Sequence, residues 1–345
     1  MAAMRHLRRT LAALRTPAAF SRLSLVALAA LWVIVPSGGI VRLTASGLGC
    51  PDWPTCNGGV VPASAGHAWI EYTNRLLSGV VGIVAIATWL VARKAPGAPA
   101  ALRRWAALLA LCTVAQVPLG AITVQSGLHP MAVGSHFLLS MVALLIAALL
   151  AVRAFDWRAG RERGWDRRRG PLALAVTLAA AAVLCTGVVV TAAGPHSGDD
   201  DVTKRFGDLL LALQVHVRAA VGFLLLAAVL VAWVWREGTT DRITARLAAV
   251  AVPLILLQIG IGEYQYRNGL PWQVVAVHVS VAGLVWPVIV AACWGVARPV
   301  KRADAAESDY GRRDATLWQG TQRTESGSAR SRPSGISAPQ STQIP

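Results

Sequence analysis

Three histidines lie inside long apolar runs, where an imidazole is costly unless it is hydrogen-bonded or bound to a metal. They are His216 in Leu209–Trp235, His278 in Val274–Val290, and His136 in the run 132–152. His216 and His278 each stand a turn or two inside the end of their run, so they share a depth. Two imidazoles are what a haem iron takes on its two faces, whereas zinc normally takes three or four N, S or O ligands. A hydrogen bond between helices would explain one such histidine. Two at matching depth, with a third repeating the pattern, point to ligation of a flat redox cofactor.

A constant offset of 142 residues takes His278 to His136, His216 to Asn74, Gln258 to Gln116, Gly262 to Gly120 and Leu270 to Leu128. One offset joining all of these pairs reads as an internal duplication. The first half then offers one strong ligand, His136, where the second offers two. That asymmetry suits an exchangeable substrate in the first half and a fixed cofactor in the second. Glu71 lies three residues before Asn74, on the same helical face, and a carboxylate placed there could move protons. Arg75 and Arg218 flank the ligand positions and are candidates to pair with cofactor carboxylates. Snorkelling to the interface is their plainer role.

The elements that must position these groups follow from composition. Of 345 residues, 55% are hydrophobic and 14% charged, against about 25% charged in a soluble domain. Mean hydropathy is +0.52. About 20 apolar residues cross a bilayer, and the sequence predicts eight such spans: 23–42, 75–92, 104–123, 132–152, 172–192, 209–234, 246–263 and 273–296. The expected fold is an all-α polytopic membrane protein, its eight transmembrane helices forming two duplicated four-helix bundles. The expected divisions are a basic N-terminus (1–22), a first half (23–153), a linker (154–171), a second half (172–297) and a disordered tail (298–345) too poor in apolar residues to order.

The net charge of +16 does not signal nucleic acid. The basic residues gather in the N-terminus, in alternate short links and in the tail, which is the positive-inside pattern. Both termini are therefore expected in the cytoplasm. The first span has no clear Ala-x-Ala exit, so it reads as uncleaved rather than as a signal peptide. The loops expected outside are 44–70, which holds Cys50 and Cys56, and 194–208, which holds His196. A disulfide between Cys50 and Cys56 closes a short loop in an oxidising compartment, as a staple or as a redox pair. Cys112, Cys185 and Cys293 lie in spans and read as small packing residues.

With these residues in order, the chain resembles the haem A synthase family over about residues 25–297. The resemblance rests on Gly39-Ile40-Val41-Arg42-Leu43-Thr44 running to Gly47, and on Cys50, Pro51, Trp53, Pro54 and Cys56. It rests further on Glu71-Tyr72-Thr73-Asn74-Arg75, Gly194-Pro195-His196, Gln214-x-His216, His136 and His278. It implies oxidation of the C8 methyl of haem O to the formyl of haem A by successive hydroxylations, in a bacterial cell membrane. It also implies haem b between His216 and His278, a substrate site in the first half where Glu71 is essential, and support from the Cys50–Cys56 pair. Expected partners are a haem O synthase, a downstream haem–copper oxidase, membrane lipids, an electron donor or acceptor and a second copy of the chain.

The sequence departs from the family pattern twice. Asn74 stands where the family often has histidine, and no second cysteine pair occurs in 194–208. An electron-carrying haem b protein with no haem substrate would explain His216 and His278 equally well, but not Glu71. A transporter built from repeats would give the histidines no task.

Overall fold

The computed structural model describes residues 15–301 apart from Ser64, Ser197, 200–204 and 239–240. Residues 1–14 of the basic N-terminus and nearly all of the expected tail lie outside the described residues. Among the described residues the protein is all-helical, with eight helices: α1 (Pro17–Leu43), α2 (His67–Lys94), α3 (Ala100–Gln125), α4 (Pro130–Arg158), α5 (Gly170–Ala193), α6 (Leu209–Glu237), α7 (Arg242–Arg267) and α8 (Trp272–Ala297). Each is long and apolar enough to cross a membrane, and the chain is a multi-pass membrane protein. Every expected span lies within one helix, and most helices run several residues further at one or both ends. Capping side chains satisfy backbone N–H groups that a helix start leaves unpaired. Thr16 accepts from Ala19 N, Asp208 from Leu211 N and Asp241 from Thr244 N.

Helix neighbours divide the chain into two rings of four. Helices α1–α2, α2–α3, α3–α4 and α4–α1 close the first, and α5–α6, α6–α7, α7–α8 and α8–α5 the second. The rings meet through α4–α8, α1–α8 and α4–α5. Between helices in lipid, close packing stands in for the hydrophobic drive. Accordingly α4 turns Ala143, Ala147, Ala151 and Ala154 inward, all buried, among Leu144, Leu150, Trp286 and Ile289. Two indole N–H groups cross between the rings: Trp286 donates to Met141 O at 2.8 Å and Trp32 to Ser280 O at 3.2 Å.

The two rings repeat one turn at the same offset. Gly127-Leu128 and Gly269-Leu270 all take positive φ, with Leu128 at 56° and Leu270 at 58°. Leu128 N bonds Thr123 O at 3.0 Å and Leu270 N bonds Gln265 O at 2.8 Å. Long loops differ between the rings, yet they touch, Gly47 N donating to Gly198 O at 2.8 Å. Within the second ring His196 Nε2 donates to Leu270 O at 2.9 Å. At the opposite, basic end Arg163 joins Asp156 at 2.7 Å, Asp241 at 3.1 Å and Arg298 O at 3.1 Å. That cluster ties the inter-ring linker to the starts and ends of three helices.

Candidate functional site

Each ligand position faces a glycine on the helix before it. A Cβ placed on Gly187 would stand 3.2 Å from His216 Cε1, on Gly262 3.2 Å from His278 Cε1, and on Gly120 3.4 Å from His136 Cε1. Gly38 occupies the corresponding place against Asn74, at 3.9 Å from Oδ1. Missing side chains thus let the imidazoles lie flat against neighbouring helices. His216 on α6 and His278 on α8 stand within the same ring of four helices.

His216 has a hydroxyl partner on the neighbouring helix: its Nδ1 lies 3.0 Å from Thr186 Oγ1. Thr186 sits mid-helix on α5, and its hydroxyl also reaches the Ala182 and Val183 carbonyls at 2.9 and 3.0 Å. With the hydroxyl hydrogen on one of those carbonyls, the oxygen accepts from Nδ1–H and Nε2 presents its lone pair. The first ring repeats this arrangement with Ser37, which donates to Asn74 Oδ1 at 3.0 Å. The dipeptides Ser37-Gly38 and Thr186-Gly187 are thus matching devices. Sequence reasoning missed them because the unequal long loops shift their spacing from 142 to 149 residues.

A second matched device lies on α3 and α7. Gln116 Nε2 donates to His136 O at 3.3 Å, and Gln258 Nε2 to His278 O at 2.9 Å. In each ring the glutamine Oε1 and the histidine Nδ1 of this device are buried without a partner among the described residues. A buried donor and acceptor cost free energy when unpaired. Among the described residues no three His, Cys, Asp or Glu side chains converge to hold a bare metal ion. The chain offers imidazoles inside its helix rings, His136 in the first and His216 and His278 in the second, and that donor set would suit a haem iron.

Glu71 and Arg75 build the floor of the cysteine loop. Glu71 is 4% exposed. Its Oε2 accepts from Cys50 N at 2.8 Å, and its Oε1 from Arg75 Nε at 3.1 Å and Nη2 at 2.5 Å. The Arg75 guanidinium also donates to Cys50 O at 2.7 Å, Thr55 O at 2.9 Å and Asp52 O at 3.2 Å. A guanidinium has five N–H donors, and Arg75 uses two on Glu71 and three on the loop carbonyls. Arg75 was a candidate to pair with a cofactor carboxylate or to snorkel to the interface; here all five of its donors are engaged by the protein. Arg218 is exposed and has no polar partner among the described residues.

Cys50 and Cys56 form a disulfide with Cα atoms 4.5 Å apart, and both are buried. Gly49 allows the loop to lie on the start of α2, since a Cβ there would come within 2.6 Å of the His67 carbonyl carbon. Asp52 organises the rest of the loop, accepting from Thr55 Oγ1 at 2.5 Å, Asn57 N at 2.5 Å and Gly58 N at 2.8 Å. Those hydrogen bonds, Thr55's first, hold its carboxyl well below the usual carboxylate range. Of the other cysteines, Cys112 and Cys293 are buried as expected. Cys185 is exposed on α5, where it was expected to pack.

The chain is similar in sequence to known proteins over most of its described length. The family model described as COX15-CtaA, cytochrome oxidase assembly protein, matches residues 21–68 and 63–290. A haem A synthase of Shewanella oneidensis is 26% identical over 301 residues, covering 73% of this chain and 89% of the relative. One of Halalkalibacterium halodurans is 26% identical over 276 residues, covering 74% and 89%. One of Geobacillus kaustophilus is 28% identical over 216 residues, covering 61% and 68%.

Proposed function

The chain belongs to the COX15-CtaA family of cytochrome oxidase assembly proteins, and from that membership we propose that it is a haem A synthase. In this reading it oxidises the C8 methyl of haem O to a formyl by successive hydroxylations. The observation that carries the reading within the structure is the Thr186–His216 hydrogen bond, which holds an imidazole inside the second ring, the ring that also carries His278. His216 and His278 would hold haem b, which supplies one-electron redox chemistry when bound.

The first ring would take the substrate. His136 presents one imidazole, and Asn74, engaged by Ser37, replaces a second strong ligand with an amide. A singly held haem exchanges more readily, as a substrate must. Glu71 stands one turn from Asn74 beneath the disulfide loop, where it excludes water and orients the loop through Cys50 N and Arg75. It is also the nearest carboxylate in sequence to that ring's ligand positions, and it would hold or pass the protons that the oxidation releases. The two rings are read as a duplicated unit that kept one resident site and one exchangeable site. Both termini would lie in the cytoplasm and the Cys50–Cys56 loop outside. Substrate would arrive from a haem O synthase and product leave toward a haem–copper oxidase, since both haems are poorly soluble.

The test is extraction and mass analysis of the haems in the purified protein, expressed in a host supplied with haem O and lacking its own haem A synthase. Haem b together with haem A or its hydroxylated intermediate is expected. Haem b alone, with haem O unchanged in the membrane, would replace the synthase by an electron carrier.

A further inference from the structure

We infer that Arg42 is the anchor for a haem carboxylate, placed at the contact between the two rings. The inference rests on the haem-binding reading above and names a group that reading does not use. Arg42 lies on α1 one turn, about 5.4 Å, beyond Gly38, which faces Asn74. It lies three residues beyond Gly39, where a Cβ would stand 3.5 Å from Val279 Cγ1, next to His278. Its guanidinium crosses to the other ring and donates to Thr191 O on α5 at 2.6 Å. Thr191 is itself little more than a turn beyond Thr186. Arg42 therefore stands one layer outward from the ligand positions of both rings. The cysteine loop and the 194–208 loop meet beside it, with Gly47 N on Gly198 O, and a Cβ on Gly198 would lie 3.6 Å from Arg42 Cγ.

What sets Arg42 apart is how little it is satisfied. Arg75 uses all its donors, and Arg163 meets two carboxylates. Arg42 is largely buried, yet among the described residues its one hydrogen bond is to the Thr191 carbonyl and no carboxylate pairs with it. A second cation, Arg205, is close enough to repel it. A buried cation beside a second cation is costly unless an anion is present. A haem brings two propionates on one ring edge, and a guanidinium matches a carboxylate in a bidentate geometry.

The test uses the full chain produced under haem depletion and titrated with haem b or with its dimethyl ester, following the Soret band. Hydrogen bonds to charged groups contribute about 1.5–3 kcal/mol, roughly tenfold or more in affinity. Wild type should therefore bind the free acid about tenfold more tightly than the ester. Arg42→Gln should remove that preference by weakening the free acid alone, and Arg42→Lys should restore part of it. Equal binding of acid and ester by wild type, or an undiminished preference in Arg42→Gln, overturns the anchor while leaving the haem reading intact. Failure of wild type to bind either compound overturns both. If Arg42→Gln does not fold, the charge-keeping Arg42→Lys reads the same question: an acid preference undiminished from wild type overturns the anchor.

Discussion

The Thr186 hydroxyl and His216 Nδ1 lie 3.0 Å apart, joining α5 to α6 through a side-chain pair. This relationship converts an apolar-helix histidine into an oriented ligand. Removing a hydrogen-bond partner of a ligating histidine typically weakens metal binding by about 10–100-fold. Thr186→Val should therefore loosen haem b by about tenfold or more and shift its midpoint potential, while Thr186→Ser restores both. Redox titration of the haem b band checks this. An unchanged potential in Thr186→Val would mean that another group orients His216.

Gly187 and Gly262 are predicted to be intolerant of a side chain, because a Cβ at either would meet an imidazole Cε1 at 3.2 Å. Gly262→Val should displace His278 and abolish haem b retention. Gly222→Ala in α6 is the control, since nothing lies within 4 Å of a Cβ there. It should keep haem b and stabilise the helix by about 0.5–1 kcal/mol. The absorbance ratio of haem to protein reads both outcomes.

Arg75→Ala should release the cysteine loop. It strands Glu71 as a buried carboxylate, and breaking such a pair costs about 3–5 kcal/mol. The Cys50–Cys56 disulfide, now 0% and 2% exposed, should become reducible much faster by a water-soluble thiol. Glu71→Ala should abolish product yet keep haem b on His216 and His278. Loss of haem b in Glu71→Ala would remove Glu71 from the chemistry and make it a structural residue.

The basic end should carry an acid-sensitive part of the stability. Burial alone would raise the Asp241 pKa. The Thr244 backbone N–H and hydroxyl and the Arg163 guanidinium outweigh burial and hold it below the ordinary aspartate value. A depressed carboxylate stabilises the fold above its unfolded pKa and loses that contribution as pH falls through the folded value. Melting temperature in detergent should therefore be flat across neutral pH and fall below about pH 4. Asp241→Asn should lower it at neutral pH and flatten the acid limb.

Much of this protein was legible in its sequence, for physical reasons. Hydrocarbon demands about 20 apolar residues per crossing, so the eight helices announce themselves by length and hydropathy. A histidine there has to be explained, which singled out His136, His216 and His278. The 142-residue offset also marked Gln116, Gln258, Gly120 and Gly262 before their contacts were known. What the tertiary structure decided concerns side chains whose neighbours are far along the chain. Thr186 and Ser37 are ordinary helix residues until α6 and α2 bring His216 and Asn74 beside them. Arg75 and Arg42 are indistinguishable by type and by nearness to a helix end. Only the folding of the cysteine loop onto α2 saturates the first, and only the meeting of the two rings leaves the second with a single carbonyl.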